Sequence, residues 1–477
     1  MYATLSALAL TGALLASSPT QDETALRRGL EAVQAGHIEA DLYFLADDVL
    51  RGRDTPSREQ RVAARYLRAR LQALGFQPGG EDGGFFDRYS LAIRKLDVEG
   101  SSLTLEVGGD ARRLAFGEDY YLGSSLEAAD HDVAGEVVFC GEGRRADFAA
   151  LSPGVLKGRW AFCLDRGTRT ISRRNLAREG GALGILVTPG PEYQKEPYPE
   201  RHARSTGDLV QGALQRQRGG TTEKREIYPQ VFLAPEVGAP LAAGARLGQV
   251  LDVRAHEVRR AQATVELENV CGLFPGSDPA LRNEVILVSA HYDHVGQRGE
   301  AIYNGADDNG SGTTGLLAVG EALVAHGPLK RSVLLIWVSG EEKGLLGSAA
   351  WAKEPTLPEG MRAVCNLNID MIGRNAPERL GLTPSESHPK ASFLTAIARE
   401  LAPQEGFPEL ESADRYYDRS DQASFAKLDI PVCFLFAGEH EDYHKPTDTP
   451  DKIDYDKVHR VARLIFRMLV RLEREPL

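Results

Sequence analysis

Four apolar, β-branched-rich runs stand out in the C-terminal half of the chain: Glu284–Ala290, Val333–Ser339, Ala363–Asp370 and Val432–Ala437. Their hydrophobicity is nearly continuous rather than alternating, the pattern of strands buried on both faces of a parallel sheet. Between and around them, helical pieces are expected at Gly312–His326, Leu345–Ala352, His388–Ala402, Asp421–Lys427 and Tyr455–Glu473. This alternation predicts an α/β fold with a mixed, mainly parallel central sheet flanked by helices. Nearer the N-terminus, Thr24–Gln34 and Arg58–Leu74 are also helical in period. In the second, Ala64, Leu67, Leu71 and Leu74 make one apolar face, and Gly75 is placed as a C-cap. Phe85–Arg94 and Ser102–Val107 read as strands after a loop over Pro78–Gly84.

The character changes from about Ala128 to Val253. Gly135–Phe139 and Gly158–Cys163 are short strand-like runs, followed by a helical stretch, Arg173–Glu179, and an apolar run, Gly181–Val187. This segment holds no cluster of nucleophiles or metal ligands, so it suits gating of substrate better than catalysis. The polar stretch Gln215–Glu226 is expected to be an exposed loop. No internal repeat is visible.

At 477 residues the chain exceeds what one hydrophobic core organises, so more than one domain is expected. Its 56 basic and 68 acidic residues leave a formal charge of −12. That balance argues against nucleic acid or an anionic membrane surface as partner, since both favour a basic face. No apolar run long enough for a membrane span occurs beyond the N-terminus. There, Ala3–Ala16 is small and apolar and Ser17–Gln21 turns polar, so residues 1–20 are expected to be a signal peptide, cut near Ala16–Thr20. No Lys or Arg precedes the apolar run. The expected destination is secreted or periplasmic. The five cysteines, Cys140, Cys163, Cys271, Cys365 and Cys433, lie at or next to apolar strands and read as small buried hydrophobes. For Cys140 and Cys163, which end neighbouring strand-like runs, pairing is the alternative.

Metal-ligand side chains gather where the strands end. His291 closes the first run, Glu341 and Glu342 follow the second, Asp370 closes the third, and His444 comes shortly after the fourth, with Asp308 on the connection after His291. A parallel sheet builds its site at the carboxyl ends of its strands. Zinc takes imidazole and carboxylate ligands and, in a catalytic site, keeps a position open. Two metals about 3.5–4 Å apart share a carboxylate and a water. The inventory of His291, His444, Glu342, Asp370 and a bridging Asp308 meets that need, with Glu341 free as general base. Asp293, two residues beyond His291, is placed to accept that ring's second N–H. His294 and His440 are as readily structural as functional. Asp448 is expected to anchor a turn beside His444.

The motifs His-Tyr-Asp-His (291–294), Gly-Ala-Asp-Asp-Asn-Gly-Ser-Gly (305–312), Gly-Glu-Glu-Lys-Gly-Leu-Leu-Gly-Ser (340–348), Asn-Ile-Asp-Met (368–371) and Tyr-His-Lys-Pro-Thr-Asp-Thr (443–449) resemble those of the co-catalytic di-zinc aminopeptidases, relatives of glutamate carboxypeptidase and the transferrin receptor. The resemblance runs from Asn269 to the C-terminus, with a looser match over about His37–Leu91. It implies two zinc ions per chain: one with Glu342 and a histidine, the other with Asp370 and the remaining histidine. Asp308 would bridge them, often beside a cis peptide, and Glu341 would be the base. Which histidine goes with which acid is not legible. Residues 128–253 resemble a protease-associated insert. The implied layout is a signal peptide (1–20), an N-terminal part of the peptidase domain (21–127), the insert (128–253) and the catalytic domain (254–477). Where many relatives carry Ser-Asp-His, this chain reads Ser420-Asp421-Gln422, and Gln422 cannot relay a proton. The expected function is an exopeptidase, an aminopeptidase acting on peptides with a free N-terminus, with no obligatory protein partner evident. The alternatives are a carboxypeptidase clamping the substrate carboxylate with Arg374, Arg415 or Arg419, and a binding protein on a dead scaffold, which would have lost ligands.

Overall fold

The computed structural model describes residues 21–122, 130–167, 171–211, 213–214 and 228–476. The expected signal segment and the polar loop 215–226 lie outside those residues. The chain divides into two compact units, Met1–Tyr89 with Leu267–Leu477, and Ser90–Glu266.

The first unit is built on β1 (Glu284–His291), α1 (Gly312–His326), β2 (Ser332–Val338), β3 (Arg362–Asp370), β4 (Val432–Phe436) and α2 (Tyr455–Leu472). The four strands lie side by side in the order β4-β3-β1-β2, all parallel. Strands at Leu380–Thr383 and Ala261–Phe274 extend the sheet as antiparallel neighbours of β4 and β2. The expected mixed, mainly parallel sheet is therefore present. Every residue of β2 and β4 is buried, which accounts for their unbroken apolar sequences. α1 is buried along most of its length and packs against Gln21–Ala32 and α2. α2 turns Val458, Val461, Ile465, Met468 and Leu472 inward at helical spacing.

Arg58–Leu74 forms the expected helix, with Ser57 Oγ accepting the Gln60 N–H at 2.9 Å and Gly75 left-handed at φ 82°. The helix expected over 388–402 begins only at Phe393, because Ser392 caps it and 388–391 are held in turns.

The second unit carries a sheet of its own, in which Trp160–Asp165, Gly184–Pro189 and Gln230–Leu233 lie side by side in parallel. The helix Ile171–Glu179 accompanies them. Its bounds differ from the expected 128–253. Strand Ser102–Val107 pairs with Asp110–Leu114 and with Val250–Arg259, and Tyr120–Leu122 pairs with Gln230–Leu233. Residues assigned from sequence to the N-terminal part of the peptidase domain, and Arg254–Arg259 beyond the expected insert, thus belong to this sheet. Hydrogen bonding between distant strands decides the boundary. All five cysteines are buried and free. No helix among the described residues is long and apolar enough to cross a membrane.

Candidate active site

Because the chain passes from β1 to β2 on one side and then to β3 on the other, β1 marks a reversal of strand order. The crevice at its carboxyl end is where such sheets bind ligands. The predicted residues meet there.

His291 Nε2 lies 3.3 Å from Asp370 Oδ1 and 3.5 Å from Asp308 Oδ1. His444 Nε2 lies 3.1 Å from Asp308 Oδ2 and 3.2 Å from Glu342 Oε2. Asp308 therefore turns one oxygen to each histidine, and the pairing that the sequence left open becomes definite: His291 with Asp370, His444 with Glu342. His294, outside the expected ligand set, joins the second group, its Nδ1 2.7 Å from Glu342 Oε1. Glu341 stands with His291 and Asp370.

Local backbone explains these positions. The segment 306–311 after β1 is not a regular helix turn, and its Asp308–Asn309 peptide bond is cis, as the resemblance implied. The N–H groups of Asp307 and Asp308 donate to the carboxylate of Asp448 at 3.1–3.2 Å. Asp448 thus ties the Asp308 loop to the His444 segment, a wider role than the expected turn. Gly305, left-handed at φ 59°, presses on the His294 ring, which a Cβ would meet at 2.4 Å. After β2, Gly340 (φ 69°) turns the chain so that Glu341 and Glu342 follow. The Asn269 side chain holds that loop, accepting the Ser339 N–H at 3.0 Å and donating to Gly347 O at 2.9 Å.

Asp293 departs in part from its expected role. His291 Nδ1 meets the main-chain oxygen of Asp293 at 3.2 Å, while the carboxylate is 3.8 Å away. That carboxylate accepts the Thr55 hydroxyl at 3.0 Å and the Glu341 N–H at 3.2 Å. It holds the Glu341 backbone more directly than the His291 imidazole. Burial pushes Asp293 up to about 6.

Two positioning residues were not singled out from sequence. Ser420 Oγ donates to Asp370 Oδ2 at 2.9 Å, and Tyr443 stacks on the His444 ring with centroids 4.0 Å apart. Both lie inside motifs already quoted, but nothing in their spacing tells where they point. Gln422 is a structural clamp: it accepts from Asn368 at 3.0 Å and donates to the carbonyls of Tyr416 and Tyr417 at 3.2 and 2.8 Å. His440 Nε2 faces Asp307 Oδ2 at 3.2 Å, behind the ligand loop.

The donor set fits a pair of cations. Buried His294 Nδ1, Glu342 Oε1 and His444 Nε2 make no hydrogen bond, although they lie at contact distance from neighbouring side chains. Donors converging on a shared point behave this way, whereas groups that satisfy one another do not. Buried acids crowd together here, and without a cation such a cluster is costly. Burial, with Asp421, Glu342 and Asp370 nearby, lifts Glu341 well above the usual carboxylate range, with His291 opposing. Burial likewise raises Asp421 to about 7. For His444 burial opposes the charge, but Asp308 and Glu342 outweigh it and raise the imidazole to about 10.

Asp308, Glu341, Glu342, Asp370 and His444 themselves line a pocket, which Met371, Tyr416, Phe434, Phe436 and Tyr443 wall, with Arg419 and Glu439 also lining it.

Residues 269–469 match the family model of peptidase family M28. A probable leucine aminopeptidase of Arthroderma otae is 32% identical over 197 residues, 39% of this chain and 54% of that protein. Another from Arthroderma benhamiae is 30% identical over 259 residues, 51% of this chain and 69% of that protein. The chain thus spans about half the length of the first of these relatives. Among solved structures, a zinc aminopeptidase from Bacillus subtilis shares the fold, with a TM-score of 0.52 at 19% identity over 92% of this chain and 95% of that one. By its sequence over the catalytic unit, the chain belongs to peptidase family M28.

Proposed function

We propose that the chain is an aminopeptidase that removes N-terminal residues from peptides using two zinc ions. The observation that carries this reading is the convergence of His291, Asp370, His444 and Glu342 on the two oxygens of Asp308, with Glu341 alongside. His291, Asp370 and Asp308 would hold one ion; His444, Glu342 and Asp308 the other. When bound, such a pair polarises the scissile carbonyl and acidifies a shared water.

Glu341 takes the water's proton and passes it to the leaving amine. Tyr443 is held protonated by burial beside Asp308 and Glu342, so its hydroxyl is a hydrogen-bond donor for charge developing on the carbonyl oxygen. The acidic pocket receives the free ammonium, and the apolar wall of Met371, Tyr416, Phe434 and Phe436 receives the terminal side chain.

Two features weigh against the carboxypeptidase alternative. Arg374 is committed to Asp442 at 2.8 Å, and Arg419 faces Glu439 at 3.5 Å, so neither offers a free clamp. A dead scaffold is disfavoured because the ligand set is complete. The Ser90–Glu266 unit, which we read as a protease-associated domain, has no metal-ligand cluster among its described residues, and that suits substrate gating. The apolar Ala3–Ala16 segment supports export.

The test is a panel of amino-acid p-nitroanilides and N-acetylated peptides, with and without added zinc. Cleavage that needs a free N-terminus and tolerates C-terminal amidation is expected. Cleavage of N-blocked peptides that requires a free C-terminal carboxylate would replace this reading with the carboxypeptidase one.

A further inference from the structure

In the pocket that the metal-ligand groups share with the apolar wall of Met371, Tyr416, Phe434 and Phe436, Arg419 and Glu439 are the two charged side chains outside the ligand cluster and Glu341. Arg419 Nη1 lies 3.5 Å from Glu439 Oε1, with the two side chains 56% and 39% exposed, so both are reachable from solvent. Each is held by its own support. The Arg419 guanidinium stands over the Tyr416 ring at 5.1 Å from its centre. The chain around Glu439 is clasped by the Asn375 side-chain amide, which donates to the carbonyls of Ala437, Gly438 and Glu439 at 3.0, 3.0 and 3.3 Å. Neither charge serves the ligand cluster or the hydrogen bonds that fasten it.

We propose that the Arg419–Glu439 pair determines charge specificity, keeping the pocket selective for uncharged, apolar N-terminal residues by leaving neither charge free. This rests on the aminopeptidase reading above. A pocket with an apolar wall already disfavours a charged side chain, because that group must shed water without a partner. A lone arginine in the wall would supply the partner for an acidic side chain, and a lone glutamate for a basic one. Paired, each charge cancels the other's invitation. Opening the pair from either side therefore changes which class of residue the pocket accepts.

The experiment compares zinc-loaded wild type, Glu439→Gln, Arg419→Gln and the double variant on the p-nitroanilides of leucine, glutamate and lysine. Wild type should favour leucine over both charged residues. Glu439→Gln should raise the glutamate-to-leucine ratio of kcat/KM by roughly two- to fivefold, the scale of one partly exposed charge interaction. Arg419→Gln should raise the lysine-to-leucine ratio similarly, and the double variant should return both towards wild type. Ratios unchanged across the four proteins, with leucine still cleaved, overturn the specificity role and leave the aminopeptidase reading standing. A parallel fall for all three substrates assigns the pair a structural role and also overturns it. No cleavage of any amide by the zinc-loaded wild type removes the aminopeptidase reading and this inference together.

Discussion

The hydroxyl of Ser420 donates to Asp370 Oδ2 at 2.9 Å, while Asp370 Oδ1 faces His291 at 3.3 Å. One carboxylate is thus steadied on one oxygen and left open on the other. Ser420 is itself fixed by the Asn368 amide, which donates to it at 3.1 Å. Hydrogen-bond partners of metal ligands typically contribute 10- to 100-fold in metal affinity. Ser420→Ala should therefore weaken zinc at the His291–Asp370 side by about 10-fold or more, with the His444–Glu342 side retained. Zinc titration of the apoprotein should show one of the two affinities shifted. Equal weakening of both would count against separate sites.

Glu341 and Glu342 are chemically identical neighbours with different surroundings. Glu342 contacts both His294 and His444, and these contacts draw its pKa far below the ordinary value against the effect of burial. Glu341→Gln should hold both metals yet lose roughly 10²–10⁴-fold in kcat, the worth of a positioned base. Glu342→Gln should lose metal instead, with partial rescue by excess zinc. Metal content measured beside kinetics decides, and the reverse pattern exchanges the two roles.

Chelation makes a separate demand on the mechanism. Dialysis against a chelator should abolish activity, and zinc or cobalt should restore it at two equivalents per chain. Metal analysis of the active enzyme giving a single ion would exclude a shared-carboxylate pair.

Arg53 is buried and donates to the carbonyls of Leu45, Tyr292, Asn304 and Gly305. Burial lowers it to about 10, so it stays charged at neutral pH. Arg53→Met removes those donors, and a buried acceptor left alone costs about 1–3 kcal/mol. A stability loss of roughly 3–5 kcal/mol is expected in denaturant unfolding. A loss below 1 kcal/mol would mean water replaces the guanidinium.

His202 sits among Tyr121, Tyr198 and Phe232, and burial, helped by Arg201, lowers its pKa to about 4. Between about pH 6.5 and 4 the unfolded chain binds a proton here that the folded one refuses, so stability falls as pH drops through that window. The loss should reach about 3 kcal/mol by pH 4 and level off below it. His202→Phe should remove this component. Unfolding followed from pH 7 to 4, with chelator present in both proteins, gives the comparison. Parallel curves would show that His202 is not the group responsible.

Much of the fold was legible because burial on both faces leaves an unmistakable record. The core strands had to be continuously apolar, and α1 and Arg58–Leu74 were expected with the bounds observed. Boundaries that depend on pairing were less legible. Strand Ser102–Val107, which pairs locally with Asp110–Leu114, carries no mark of its second partner, Val253–Val258. The helix after His388 was expected too early, because turns held by backbone bonds leave the periodicity intact.

For the site, the sequence by itself determined the inventory: His291, Asp308, Glu341, Glu342, Asp370 and His444 had to follow the strand ends, because a parallel sheet brings those ends to one edge. Only the tertiary structure decided the pairing. Which oxygen of Asp308 meets which histidine, that His294 joins Glu342, that Ser420 braces Asp370, and that Asp293 holds the Glu341 backbone all depend on side-chain direction across strands far apart in sequence. Spacing along a chain records periodicity and composition. It holds no record of the angles at which separate loops converge, and those angles arise only when the core between them is packed.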